Sequence, residues 1–346
     1  VTRTGKVAAI SSGIIVLAAV AFLALGNKAG IPLVGGLLED PLECVLSGRE
    51  PRSETVAARP TVAIKVTNDG NAYPLSGLEE AEIVFEELIE GGSTRFMAVY
   101  HCTDAEKVGP VRSARAVDPA IMTPMARILG YSGQNAPVLA ALEASNIVRV
   151  TEDTPGEAIA RFPRTGYSFE HTLYASTREV RKIGREHHNE PPPGATFEFG
   201  ALPDEGSRRA TAVVIDFSGN TSVRYDWQDG KWLRSEGGRP MITELGTQIG
   251  VDNVLIEEHR ITLSSIVDSA GNPSVEIADP IGSGRAMLLR DGRSFRGRWS
   301  RESVESAVRF TTRGGDEMVL APGTTWVALV PSDSGDVKGS FSVERD

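Results

Sequence analysis

Val7 to Leu25 runs without a single charged residue and is dominated by Ile, Val, Leu, Ala and Phe. As a helix, this stretch rises about 28 Å at 1.5 Å per residue, close to the ~30 Å hydrocarbon core of a bilayer. Arg3 and Lys6 precede it, while Glu39, Asp40 and Glu43 follow Lys28. Basic residues before the run predict a cytoplasmic N-terminus, with everything after Lys28 outside the cell membrane. A cleaved signal peptide competes with this reading, because Ala24-Leu25-Gly26 is a permitted small-residue site; a buried core helix is a third possibility. The run exceeds the ~7–15 apolar residues usual in a signal-peptide core, which favours a single-pass anchor. No cysteine lies just after it to carry a lipid.

The whole chain has 346 residues and a formal charge of -10. That length accommodates two domains with substantial cores, and the acidic balance argues against nucleic acid as a partner. Its two cysteines, Cys44 and Cys102, are too few for a disulfide scaffold. They suffice for one bridge in an oxidising compartment, with two separate buried thiols as the alternative.

Patterning along the chain divides it into an N-terminal stub and anchor (1–28), a tether (29–58), a domain over 59–185, a Pro-rich linker over 186–204 around EHHNEPPPG, and a second domain over 205–346. Thr61 to Thr67 alternates as a strand. Ser76 to Gly92 carries Leu78, Ala81, Val84, Phe85, Leu88 and Ile89 at helical spacing, with Ser76 as N-cap and Gly91-Gly92 as the stop. Arg95 to Tyr100 reads as the next strand, and Ile121 to Leu129 and Pro137 to Ser145 have helical composition. The expected architecture is an α/β N-terminal domain, a mixed sheet with helices, followed by a smaller, mostly β C-terminal domain. In the latter, short β-rich runs such as Thr211 to Phe217 and Trp326 to Val330 are separated by turns such as Asp229-Gly230 and Asp291-Gly292.

Two constellations carry chemistry. A helix over 76–92 would stack Glu82, Glu86 and Glu90 along one face, either as a solvated acidic stripe or as ion-pair partners, metal ligands or a general acid. Arg95, Arg112 and Arg115, with Arg161 and Arg164 further on, suit bidentate recognition of phosphate or carboxylate, or internal pairing with those glutamates. His171 could serve as a ligand or acid/base group, although a satisfied buried histidine is the commoner case. His187-His188 falls in the linker with too few neighbours for a metal site. The sequence identifies neither a cofactor nor a metal.

SGLEEAEIVFEELIEGGSTRFMAVY, KVGPVRSARAVDPAI, NVLIEE, GSGRAMLLRDG, GRW and LAPGTTWVALVP together resemble the YerB-like envelope lipoproteins, from about Cys44 to Pro331. The resemblance implies acidic residues at Glu82, Glu86 and Glu90 and arginines at Arg95, Arg112 and Arg115, in domains of unknown function outside the membrane. This chain has Glu170-His171-Thr172 where the family tends to show Pro-His-Asn, and it lacks the family's lipid-modified cysteine near the apolar run. STRFMAVYHCTDAEKVGPVRSAR is also similar to the LytR-CpsA-Psr envelope transferases, which hold a polyprenyl pyrophosphate on arginines beside an acidic metal-binding residue. Their Arg-Asp pair is missing here, since Ala116 follows Arg115.

Three functions follow as expectations. One is a tethered module binding an anionic cell-wall glycan or lipid-linked precursor on Arg95, Arg112 and Arg115. The second is an envelope enzyme for glycan phosphotransfer or glycan cleavage, with Glu86 or Glu90 as metal ligand or general acid. The third is a scaffold docking other envelope proteins through Trp232 or Trp299.

Overall fold

The computed structural model describes residues 43–203, 206–268 and 270–345. The apolar run Val7 to Leu25 lies outside them; among the described residues no helix is long and apolar enough to cross a membrane.

In the first half, strands β1 (Val62–Thr67), β2 (Ile83–Leu88), β3 (Thr94–Tyr100), β4 (Ile128–Gly130) and β5 (Val148–Val150) alternate with helices α1 (Asp118–Met122), α2 (Ala136–Ala144) and α3 (Thr177–Gly184). The second half is mostly strands. It contributes β6 (Ala212–Asp216), β7 (Ser222–Gln228), β8 (Lys231–Glu236), β9 (Asn253–His259), β10 (Gly282–Arg290), β11 (Arg293–Arg301), β12 (Arg309–Thr312), β13 (Thr325–Pro331) and β14 (Ser340–Glu344). Asp229-Gly230 and Asp291-Gly292 close the β7–β8 and β10–β11 hairpins with φ of 50° and 77°, and 49° and 66°. Positive φ at both central residues is what a two-residue hairpin needs, so those turn signals were direct.

The main sheet runs β12-β11-β10-β9-β13-β2-β3-β1-β4-β5. Strand β13, from the end of the chain, pairs in parallel with β2 on one side (Glu87 opposite Leu329) and with β9 on the other (Glu257 opposite Leu329). One sheet therefore crosses the expected linker. A second sheet, β8-β7-β6-β14, covers one face of it. On that side Val62, Ile64, Val84 and Trp326 pack with Ile215, Tyr225 and Trp232. The opposite face packs Ile83, Phe85, Met97 and Val327 against Met122 and Leu142 of the helices and Trp299 of β11. Trp232 and Trp299 are fully buried in these cores, so neither is a surface anchor for a partner.

The helix expected over 76–92 is instead a short 3-10 turn (Leu78–Glu80), β2, and a second turn (Glu90–Gly92). Its apolar spacing fits a helix stripe, but a strand buried on both faces also reads as a near-continuous apolar run. Position decides between them: β2 lies between β13 and β3, and every residue from Ile83 to Leu88 is buried. Similarly, 121–129 holds only the end of α1 and the start of β4. The strands at β1 and β3 and the helix α2, capped by Asn135 accepting the Val138 N–H at 3.0 Å, lie where the sequence places them.

Two long-range ties hold the layers. Glu86, at 0% exposure, accepts hydrogen bonds from Arg234 Nη2 (2.8 Å), Thr94 Oγ1 (2.8 Å) and Trp326 Nε1 (2.9 Å). Burial raises its pKa, and the charge of Arg234 opposes that rise. At the other end of β2, the Cys44–Cys102 disulfide, with Cα atoms 5.8 Å apart, joins the segment before β1 to the end of β3. Beneath it Glu82 accepts the Cys102 N–H at 2.9 Å and the Ser47 hydroxyl at 3.2 Å.

Arg234→Leu leaves Glu86 buried and uncompensated, and should lower unfolding free energy by about 3–5 kcal/mol in urea titrations. Adding Glu86→Leu to that variant should recover much of the loss, because the buried charge is then gone. Cys102→Ser opens a loop of 58 residues and should cost about 4 kcal/mol by the chain-entropy relation, measured the same way.

Candidate functional site

Strands β1, β2, β4, β5, β9 and β13 all run in one direction, so their carboxyl ends share an edge of the main sheet. In parallel sheets that edge is where ligands usually bind. Alternation along each strand sends Lys65 of β1 and Glu87 of β2 to the helix-covered face. Glu87 stands opposite Arg95 of β3 in register.

The loop leaving β3 returns along β1, with the Arg112 N–H donating to Lys65 O (3.0 Å) and the Thr67 N–H to Pro110 O (3.0 Å). This places Arg112 and Arg115 beside the start of β3. Arg95 donates from Nη1 to Ser113 O at 3.2 Å and is 7% exposed. Arg115 is ion-paired with Glu90 of the β2–β3 turn. At the start of α1, Asp118 accepts the Arg115 N–H at 2.7 Å and Lys65 Nζ at 2.8 Å, and Lys65 is also paired with Glu87.

The three arginines share a neighbourhood, and Arg95 feels the charge of the other two. Burial first, then the charges of Arg115 and Arg112, push Arg95 down to about 9, against the pull of Glu87 and Glu90. Four cations (Lys65, Arg95, Arg112, Arg115) face three carboxylates (Glu87, Glu90, Asp118), which leaves a positive excess in an acidic chain. Burial raises Asp118 to about 6, since Lys65 offsets only part of the cost. The Nε atoms of Arg95, Arg112 and Arg115 are all buried without a hydrogen-bond partner. Of these three guanidinium groups with unused donors, Arg95 is held by a backbone carbonyl and Arg115 by a carboxylate, an arrangement able to receive an oxyanion.

Only some of the expected residues meet here. Glu90 does. Glu82 lies at the amino edge under the disulfide, and Glu86 sits on the opposite face with Arg234, so the expected row of three carboxylates does not exist. Neither of these two can act with the arginines as metal ligand or general acid. Cys44 and Cys102, near Glu82, are spent in their bond and offer no thiolate to a metal. His171 is buried against Asp69 (3.4 Å) and Ser168 (3.1 Å). Arg161 donates to Phe169 O at 2.7 Å, and Arg164 to Ala72 O at 2.9 Å, so both brace loops. Lys65, Glu87 and Asp118 were not singled out by the sequence; reading 83–88 as a strand would have put Glu87 rather than Glu86 on the arginine face.

A second ionic group lies on the same face. Glu257 is two strands from Glu87, about 10 Å at ordinary strand spacing. His259 Nε2 is 3.1 Å from Glu257 and its Nδ1 is 3.5 Å from Asp279, with the ring 4.4 Å from that of Trp299. A cavity of about 30 Å³ beside them is lined also by Phe85, Val117 and Arg301. Burial alone would lower the histidine pKa, but hydrogen bonds to Asp279 and Glu257 raise it to about 9.

Comparison with known proteins identifies the family of the chain. Residues 46–190 match the N-terminal domain, and residues 213–327 the C-terminal domain, of a family described as Protein of unknown function (DUF3048). The first segment mixes strands with a few helices and the second is mostly strands. A Bacillus subtilis (strain 168) protein described as "Putative lipoprotein YerB" is 26% identical over 306 residues, covering 84% of this chain and 86% of its own. The crystal structure of YerB from Bacillus subtilis superposes with a TM-score of 0.70 at 25% identity, over 87% of this chain and 99% of that one.

A histidine raised from 6.5 to about 9 contributes stability that is complete below pH 6.5 and lost as pH rises through 9. The stability advantage of the wild type over His259→Gln should therefore shrink across that window. A pH-independent difference in urea midpoints would contradict the assignment.

Proposed function

This chain belongs to the DUF3048 family of proteins of unknown function, and we propose that it is a membrane-anchored, extracytoplasmic envelope protein that holds a phosphorylated or pyrophosphate-bearing wall ligand on Arg95, Arg112 and Arg115. The observation carrying the reading is the trio of arginines, Arg95 buried and Arg112 and Arg115 half-buried, with unpartnered Nε atoms at the carboxyl edge of the sheet. Guanidinium stays charged and presents paired, planar donors that match phosphate oxygens two at a time. An arriving phosphate would supply acceptors to guanidinium donors that the fold leaves unused, and these charge-assisted bonds offset the water the phosphate sheds. Glu90, Asp118 and Glu87 hold the cations in place without neutralising all of them. The lipoprotein description of the relative supports the anchored, extracytoplasmic part.

Glycan phosphotransfer is a second reading, favoured by Asp118, whose pKa near 6 suits proton transfer beside a phosphate site. It would use Glu90 and Asp118 as the carboxylates and excludes Glu86.

Titrating the full chain in detergent with a pyrophosphate-bearing polyprenyl lipid should give saturable, salt-sensitive binding. Arg115→Ala should weaken it roughly ten- to hundredfold, the loss of one charge-assisted contact. Equal binding by wild type and variant would sink the proposal. Lipid consumption that stops in Asp118→Asn would select the enzyme.

A further inference from the structure

On the face of the main sheet away from the arginines, a cleft of about 710 Å³ opens between loop 70–74 and the second sheet. That volume is within the roughly 300–1,000 Å³ of small-molecule sites. Both walls are preformed. Arg164 donates to Ala72 O (2.9 Å) and Pro74 O (3.1 Å), and the Tyr167 hydroxyl to Tyr73 O (2.9 Å). Across the cleft, Ser218 Oγ and Thr221 Oγ1 donate to Gly92 O (2.6 and 2.8 Å), and Asn220 Nδ2 to Gly91 O (2.9 Å).

The lining has a definite chemistry. Tyr73, Pro74, Pro240 and Ile242 give it ring-sized apolar surfaces, and Asn220, Ser222 and Thr243 give it neutral donors and acceptors. Its charged groups, Glu236 and Arg239, are one of each sign. Glu236 is already satisfied from beneath by Arg234 (2.8 Å) and Asn68 (2.9 Å), so it does not call for a cation, and the exposed Arg239 is left as a donor for a ligand oxygen. Thr243, 4% exposed, has a buried hydroxyl with no hydrogen-bond partner. A buried hydroxyl in that state calls for a ligand or solvent atom to complete it.

We propose that this cleft binds an uncharged oligosaccharide. A pyranose presents hydroxyls that both donate and accept around its rim and an apolar C–H face, which pairs with the mixture of hydroxyl, amide and ring surfaces found here. A peptide added as an extra strand is disfavoured, because the short strand Arg239–Pro240 already occupies the edge of β8 and its proline lacks an N–H. The cleft shares no lining residue with the arginine edge, so failure of one reading leaves the other standing.

The full chain in detergent is titrated by calorimetry with chitotetraose, maltotetraose and an uncharged tetrapeptide. Saturable binding of at least one sugar is expected. Asn220→Ala, Arg239→Ala and the near-isosteric Thr243→Val should each weaken it roughly tenfold, about one hydrogen bond's worth. Arg239 is exposed and its side chain makes no hydrogen bond to the rest of the described fold, so its variant separates lost sugar contacts from the loosened Gly91 brace that Asn220→Ala also brings. Saturable binding of neither sugar, equal sugar binding by all three variants, or binding of the peptide alone would overturn the proposal.

Discussion

A carboxylate with no exposure to water is held at Glu86 only because three donors reach it. Arg234 comes from the second sheet, Thr94 from the start of β3 and Trp326 from β13, near the end of the chain. Removing an ion from water costs several kcal/mol, and a pair regains this only with its remaining hydrogen bonds made. The packing of one sheet on the other is thereby fixed in register and angle as well as in area, since an apolar interface alone would tolerate sliding. Thr94 and Arg95 are neighbours on opposite faces of β3, so the pair that locks one face also fixes the backbone that carries the arginine site on the other.

The arginine edge shows why parallel strands are useful. Several strands end together there: the turn after β2 adds Glu90, and the loop after antiparallel β3, which leaves from the opposite edge, returns along β1 to add Arg112, Arg115 and Asp118. No single stretch of sequence holds the site. The cations brace one another's carboxylates, and the positive excess belongs to the assembly.

Local signals were legible where local physics decided the outcome. The Asp-Gly hairpins, the strands at Val62–Thr67 and Thr94–Tyr100 and the Asn135-capped helix follow from turn chemistry, alternation and capping. The arginines were legible too, because three of them recur near strand ends. The segment 83–88 was misread because its periodicity is ambiguous and its environment is set by β13, more than 230 residues away in sequence. The partner of Glu86 lies 148 residues off, and no spacing rule connects residues at such a distance. Lys65 looked like an ordinary polar position in a strand; its pairing with Asp118 appears only once the loop between them folds back.

The place of β13 has a consequence for how such a chain is made. Polypeptides appear from their N-terminus, and β2 and β9 both require Thr325–Pro331 as the strand between them. Until the chain has grown past residue 331, each presents an open, apolar edge. Exposed edges of that kind pair readily with other chains. The early disulfide between Cys44 and Cys102 needs no residue beyond 102, so it can pin the first three strands together while the nascent molecule waits for its closing strand.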